Sequence, residues 1–183
     1  MKPSILAIAI LAALVIFVPH QDAAAQAAVS GDARVGITFP LGDLAGDQVE
    51  AGLSLAANAN VHLRPNLRLY TGVNHHSFRC TEGCVELGAS PRSTGLGAGL
   101  QYRFLSPQEA TWWARVGGVA HRFSSDVVSG DWSVGLEAGA GIDMPLGDNY
   151  QLTPHVGIVN HGLPSGLTAQ YLTFALGLHR QFR

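Results

Sequence analysis

Charge is scarce in this chain of 183 residues: only 13% of them are Asp, Glu, Lys or Arg, about half the usual share of roughly 25%. Lys2 is the sole lysine, and the net charge is −2. That balance excludes an electrostatic nucleic-acid binder, which needs a strong basic excess. A disordered acidic tail is excluded as well, because 47% of the chain is hydrophobic. No helical period of 3.6 stands out beyond residue 30. No phosphate loop is present either: the glycines of Gly95-Leu96-Gly97-Ala98-Gly99 alternate at period two, whereas a dinucleotide motif joins a strand to a helix. A calcium loop and a nucleophile elbow are also lacking, so no catalytic residue, metal or cofactor is expected.

The one long apolar run is at the start. Lys2 supplies a positive end, Ile5 to Val18 form 14 uninterrupted apolar residues, and Pro19 stops them. Ala23-Ala24-Ala25 or Ala25-Gln26-Ala27 then offers a small-residue cleavage site. Fourteen residues fall short of the roughly 20 that a spanning helix requires. Residues 1–27 therefore read as a cleaved secretory signal peptide, and residues 28–183 as one domain that works outside the cytoplasm.

That domain alternates. In 50–63 the odd positions Ala51, Leu53, Leu55, Ala57, Ala59, Val61 and Leu63 are all apolar, while the even positions are polar or small. The same holds in 131–144, with Trp132, Val134, Leu136, Ala138, Ala140, Ile142 and Met144 opposite Asp131, Glu137, Asp143 and glycines. Weaker alternation marks strands at about 33–39, 67–77, 93–104, 111–122, 150–160 and 170–182. Eight strands are thus predicted. The links 40–49, 78–92, 123–130 and 161–168 are longer or rich in Gly, Ser and Asp, and those at 64–66, 105–110 and 145–149 are shorter. Long on one side and short on the other is the rhythm of an up-and-down barrel.

Alternation does not say which face is inside. In a soluble barrel the Leu and Val would face a core. Here the polar face carries Arg34, Glu50, Arg68, Arg103, Arg115, Glu137 and Asp143 in mid-strand, among Gly, Ser, Ala and Asn. An eight-stranded barrel is just wide enough for side chains to fill, so charges inside leave room only for small neighbours. The aromatics of the apolar face gather at strand ends: Tyr102, Phe104, Trp112, Tyr150 and Phe182 toward one rim, Phe39 and Trp132 toward the other. Two girdles flanking an apolar band predict an all-β, eight-stranded antiparallel up-and-down transmembrane β-barrel. With an export signal, its place is a bacterial outer membrane.

On the glycine-alternating strand Val134 to Asp143 and the C-terminal strand Tyr171 to Phe182, the whole mature chain resembles the small eight-stranded outer-membrane proteins of the OmpA/OmpX type. In that family the last residue is usually aromatic, and the insertion machinery reads the final strand. Here Phe182 is followed by Arg183, so the aromatic stands one place early. The resemblance implies a monomer whose partners are outer-membrane lipids, lipopolysaccharide and that machinery.

The inward charges are the first candidates for function. Glu50, Glu137 and Asp143 are expected to pair with Arg34, Arg68, Arg103 and Arg115 across the lumen, because a buried charge without a partner is expensive. Such pairs would plug the barrel; a narrow gated pore is the alternative. Cys80 and Cys84, the only cysteines, are expected to form a disulfide in the second outer link. The competing zinc set would add His75 and His76, at a spacing that matches no familiar finger. By parity His76, His121 and His161 face inward at the outer mouth, with His155 deeper. They read as polar residues tolerated at a wet rim, against a pH- or metal-sensing role. Some eight-stranded outer-membrane barrels deacylate or palmitoylate lipid A. The deacylase type carries His-x-Ser-Asn on a late strand, with an acidic partner. Val159-Asn160-His161-Gly162-Leu163-Pro164-Ser165 lacks the adjacent Ser-Asn. The expectation is a non-enzymatic structural or surface-interaction protein, with the outer links as the places for an extracellular ligand.

Overall fold

The computed structural model describes residues 29–46, 49–80, 91–104, 110–125, 129–163 and 166–182. The expected signal peptide and residues 81–90 of the second outer link lie outside them. In order come β1 (Val29–Leu41), the short helix α1 (Asp43–Gly46), β2 (Val49–Arg64), β3 (Leu67–Cys80), β4 (Arg92–Arg103), β5 (Thr111–Ser124), β6 (Ser129–Pro145), β7 (Tyr150–Gly162) and β8 (Thr168–Gln181). Each strand pairs antiparallel with the next, and β8 closes on β1. The eight expected strands are all present, and several run further into their links than alternation alone indicated.

The stagger of the barrel follows from its registers. Partners lead from Ser30 through Asn60, Tyr70, Gly99, Gly117, Glu137, Val159 and Tyr171 back to Pro40 on β1. One circuit therefore climbs ten residues, from Ser30 to Pro40. With strands ~4.8 Å apart and a rise of ~3.3 Å per residue, this stagger tilts them by about 40°.

Burial is inverted relative to a soluble barrel. Outward-facing Val134 is 83% exposed and Leu136 68%, while inward-facing Arg34, Arg68, Glu137 and Asp143 are all buried. Lipid is the solvent that makes such a surface favourable, and closure leaves no unpaired edge within it. The expected girdle at the periplasmic end forms: Tyr102 packs edge-on against Phe104 at 5.3 Å, and the Phe104 amide donates to the Trp112 carbonyl. Arg180, which interrupts the apolar face of β8, lies 5.5 Å from both the Tyr150 and Phe182 rings.

The glycines explain how a narrow lumen holds large groups. A Cβ on Gly117 would collide with the Tyr70 hydroxyl, and one on Gly99 would come within 2.8 Å of it. Likewise Gly141 lies under the Trp113 ring, Gly95 under His121, and Gly139 and Gly157 under His155. These bulky inward side chains lie across bare backbone, where any side chain larger than hydrogen would collide with them.

One expected lumen residue is displaced. The β2–β3 register shifts between Glu50 and Leu53, and a bulge of this kind turns the following parity over. Val49 is consequently buried and Glu50 exposed. Glu50 sits outside the barrel beside Arg79, its register partner, and takes no part in the lumen network.

Candidate functional site

The inward side chains form three layers. The layer nearest the periplasm is ionic and centres on two carboxylates. Asp143 lies 3.6 Å from Arg68 and 3.8 Å from Arg103, and it accepts hydrogen bonds from Trp113 Nε1 at 2.9 Å and Thr153 Oγ1 at 3.1 Å. Asp32 lies 2.7 Å from Arg34 and accepts from Asn58 and Asn60, both at 3.0 Å. Arg68 Nε donates to His62 Nε2 at 2.8 Å. Asp32 thus occupies the role expected of Glu50. Its signal was available, since it shares parity with Arg34, but the expected strand began at residue 33, one position too late.

The middle layer holds Arg115 and Glu137, 3.2 Å apart, with the Arg115 guanidinium 4.8 Å over the Tyr70 ring. A small cavity of about 30 Å³ lies here, among Arg34, Asn58, Asn74, Arg115, Glu137 and His155. A cavity of that size has room for water in a polar setting. The His155 ring stacks on Trp113 at 5.5 Å. Six of the seven expected lumen charges are therefore inside, and each of the six lies within 4.0 Å of an oppositely charged group.

The outer layer is built from hydroxyl and imidazole groups. Ser93 Oγ lies 2.7 Å from His121 Nδ1, 3.1 Å from His161 Nε2 and 3.4 Å from the Tyr171 hydroxyl. The Tyr171 hydroxyl is 3.0 Å from His121 Nδ1, and Ser133 Oγ is 3.0 Å from His161 Nδ1. His76 packs on Tyr171 at 4.6 Å. The wet rim expected for these histidines is corrected: His121 and His161 are 0% and 1% exposed. Above them lies an apolar cap at the outer end of the barrel, with buried Leu44 from α1 beside Val49, Phe78, Phe123, Leu163 and Ala169. Sequence reasoning missed this cap because all these residues except Ala169 fell in predicted links.

The geometry also bears on the rejected chemistries. His75 and His76 are sequence neighbours on a strand, so they face opposite ways. His75 turns outward to Thr94 Oγ1 at 2.7 Å, while His76 is buried in the lumen, and the competing Cys–His zinc set is split. Cys80 ends β3, and Cys84 lies outside the described residues. Among the described residues no group of three or more His, Cys, Asp or Glu is placed to hold a metal. Ser93 and His121 form a hydroxyl–imidazole pair, but activation of a serine also needs access for a substrate and an orienting group behind the base. Ser93 is fully buried, and His121 Nε2 has no hydrogen-bond partner among the described residues.

No protein-family model matches the chain, and no curated protein matches it. Solved structures do. The Neisserial surface protein A is 14% identical, with 84% of this chain and 97% of that one covered and a TM-score of 0.68. The outer-membrane protein OprG from Pseudomonas aeruginosa is 13% identical, covering 88% and 100%, with a TM-score of 0.58. Ail of Yersinia pestis is 13% identical, covering 86% and 100%, with a TM-score of 0.54. The chain has the fold of the eight-stranded outer-membrane barrels.

Proposed function

We propose that this protein is an exported, integral outer-membrane barrel with a plugged lumen, a rigid scaffold whose outer links carry a structural or surface-interaction role. What supports the reading is the set of ion pairs in the lower lumen together with the buried apolar cluster at its outer end. A barrel built to conduct would have little use for Leu44, Phe78 and Phe123 packed together at its outer end. Two of the similar structures are described as a surface protein and an attachment invasion locus protein, which supports a role at the cell surface. A disulfide between Cys80 and Cys84 would tie down the second outer link; the described residues contain no free cysteine. Mass spectrometry without reductant should show the loss of two protons.

Two experiments test the reading. Refolded in detergent, the protein should migrate differently on a gel before and after boiling; identical mobility would count against a membrane barrel. In planar bilayers it should show no open-channel conductance. The narrow pore is the second reading, favoured by the cavity beside Arg115 and Glu137. Steady conductance that changes in Glu137→Ala would establish it in place of the plug. A lipid A enzyme would need its hydroxyl turned toward acyl chains, and the Ser93–His121 pair faces the opposite way. Lipid A mass spectra should be the same with and without the protein.

A further inference from the structure

The middle layer of the lumen holds more hydrogen-bond donors than its carboxylates use. Arg115 donates to Glu137 through Nη2 at 3.2 Å, while its Nε and Nη1 have no hydrogen-bond partner among the described residues. Arg34 Nη1 is likewise unpaired, as are both ring nitrogens of His155. The side chains of Arg34 and Arg115 are only 5% and 8% exposed, and His155 is 9% exposed. A buried donor left without an acceptor is costly, and a charged one more so.

All three residues line the same cavity of about 30 Å³. Arg34 and Arg115 reach it from opposite walls, since β1 and β5 stand four strands apart in the ring. An aromatic ring steadies each guanidinium: Arg34 lies 5.5 Å from the Trp113 ring, which stacks on His155, and Arg115 lies 4.8 Å over Tyr70. Glu137 also lines the cavity, but its Oε2 is taken by Arg115 and its Oε1 leans over Gly97 on β4. Asn74 Oδ1, a further unpaired atom at the cavity, belongs to an amide that presents the donor Nδ2 when turned over. Charge points the same way. Arg34, Arg68, Arg103 and Arg115 meet Asp32, Glu137 and Asp143, one carboxylate short of balance among the described lumen residues. Two guanidiniums with spare N–H groups around one cavity repel each other and are suited to charge-assisted hydrogen bonds with an anion. The volume selects a small one. One water requires roughly 10–15 Å³, so about 30 Å³ suits a single ion somewhat larger than water.

We infer that this cavity is a binding site for one small monovalent anion of the halide class, chloride foremost, held by Arg34 and Arg115 with His155 beside them. The anion takes the spare donors of both walls and balances the charge of the lumen. The inference rests on the barrel reading and is independent of whether the lumen conducts. The experiment uses the full barrel refolded in detergent, with heat-modifiable mobility as the check of folding. Each sample is refolded and titrated with urea at rising sodium chloride. Ionic strength is held constant with sodium gluconate, whose anion is too large for the cavity. A ligand that binds only the folded state, at about a hundred times its dissociation constant, multiplies the folded-to-unfolded ratio about a hundredfold. The unfolding midpoint should therefore rise with chloride. Ala56→Val, which narrows the cavity from β2 without touching a charge, should abolish the rise. Arg115→Gln/Glu137→Gln, which removes a guanidinium together with its counter-ion, should lose most of it. Arg180→Gln on the lipid side should respond as the unaltered protein does. Crystals grown in sodium bromide should show an anomalous peak between the Arg34 and Arg115 guanidiniums. A midpoint indifferent to chloride, an equal rise in a folded Ala56→Val variant, or water in place of the bromide peak would overturn the anion site while leaving the barrel reading intact. Failure of every form to fold in detergent would overturn both.

Discussion

The periplasmic half of the lumen is held by charge and the outer half by hydroxyl and imidazole groups, although the two are comparably dry. Below, Asp32, Glu137 and Asp143 face Arg34, Arg68, Arg103 and Arg115. Four cations meet three carboxylates, and Arg103, with the most exposed of these side chains, lies toward the open end where solvent can share its charge. Above, Ser93, His121, His161 and Tyr171 are linked by hydroxyl–imidazole contacts with no carboxylate or guanidinium among them, and apolar side chains pack beyond them. A buried ion is stable only beside its counter-ion, so the lower half is brittle to the loss of one partner. A neutral hydroxyl or imidazole costs much less to strand.

The largest expected effect follows from that contrast. Asp143→Ala should strand Arg68 and Arg103 and leave the Trp113 and Thr153 donors without an acceptor, lowering stability by about 3–5 kcal/mol. A urea unfolding midpoint close to that of the unaltered barrel would show that solvent reaches this layer. Next, Gly117→Val should drive a side chain into the Tyr70 hydroxyl at the boundary between the halves and cost about 1–3 kcal/mol; the companion Gly118→Val, where only the Gly135 carbonyl comes within 4 Å, should be far milder in the same titration. Ser93→Ala in the outer half should cost only about 1 kcal/mol. A loss matching that of Asp143→Ala would abolish the distinction between the halves. Smallest of all, Arg180→Gln on the lipid side should cost about 0.5–1 kcal/mol through the Tyr150 and Phe182 contacts.

How much of this was legible in the chain varied with the distance over which the physics acts. Parity is local, and it correctly turned Arg34, Arg68, Arg103, Arg115, Glu137 and Asp143 inward. It failed at Glu50, because the bulge that reverses the parity is defined by pairing with β3, and nothing in Glu50-Ala51-Gly52-Leu53 alone demands that pairing. Asp32 was within reach of the same rule and was lost to a strand boundary drawn too short. The cap was the deepest omission. Phe78, Phe123 and Leu163 are single apolar residues at strand ends, amid the Gly, Ser and Pro that mark turns, so each reads as part of a link. Only when neighbouring strands extend to a common height do they meet.

The sequence alone set the export signal as an expectation, the number of strands and, away from the bulge at Glu50, the face that the strand residues take, because a period of two is a statement about adjacent residues. The tertiary structure decided which charges meet, where a bulge reverses a face and which apolar residues of the links gather at the outer end. Those depend on register around a closed ring, where each strand's position is set by the other seven.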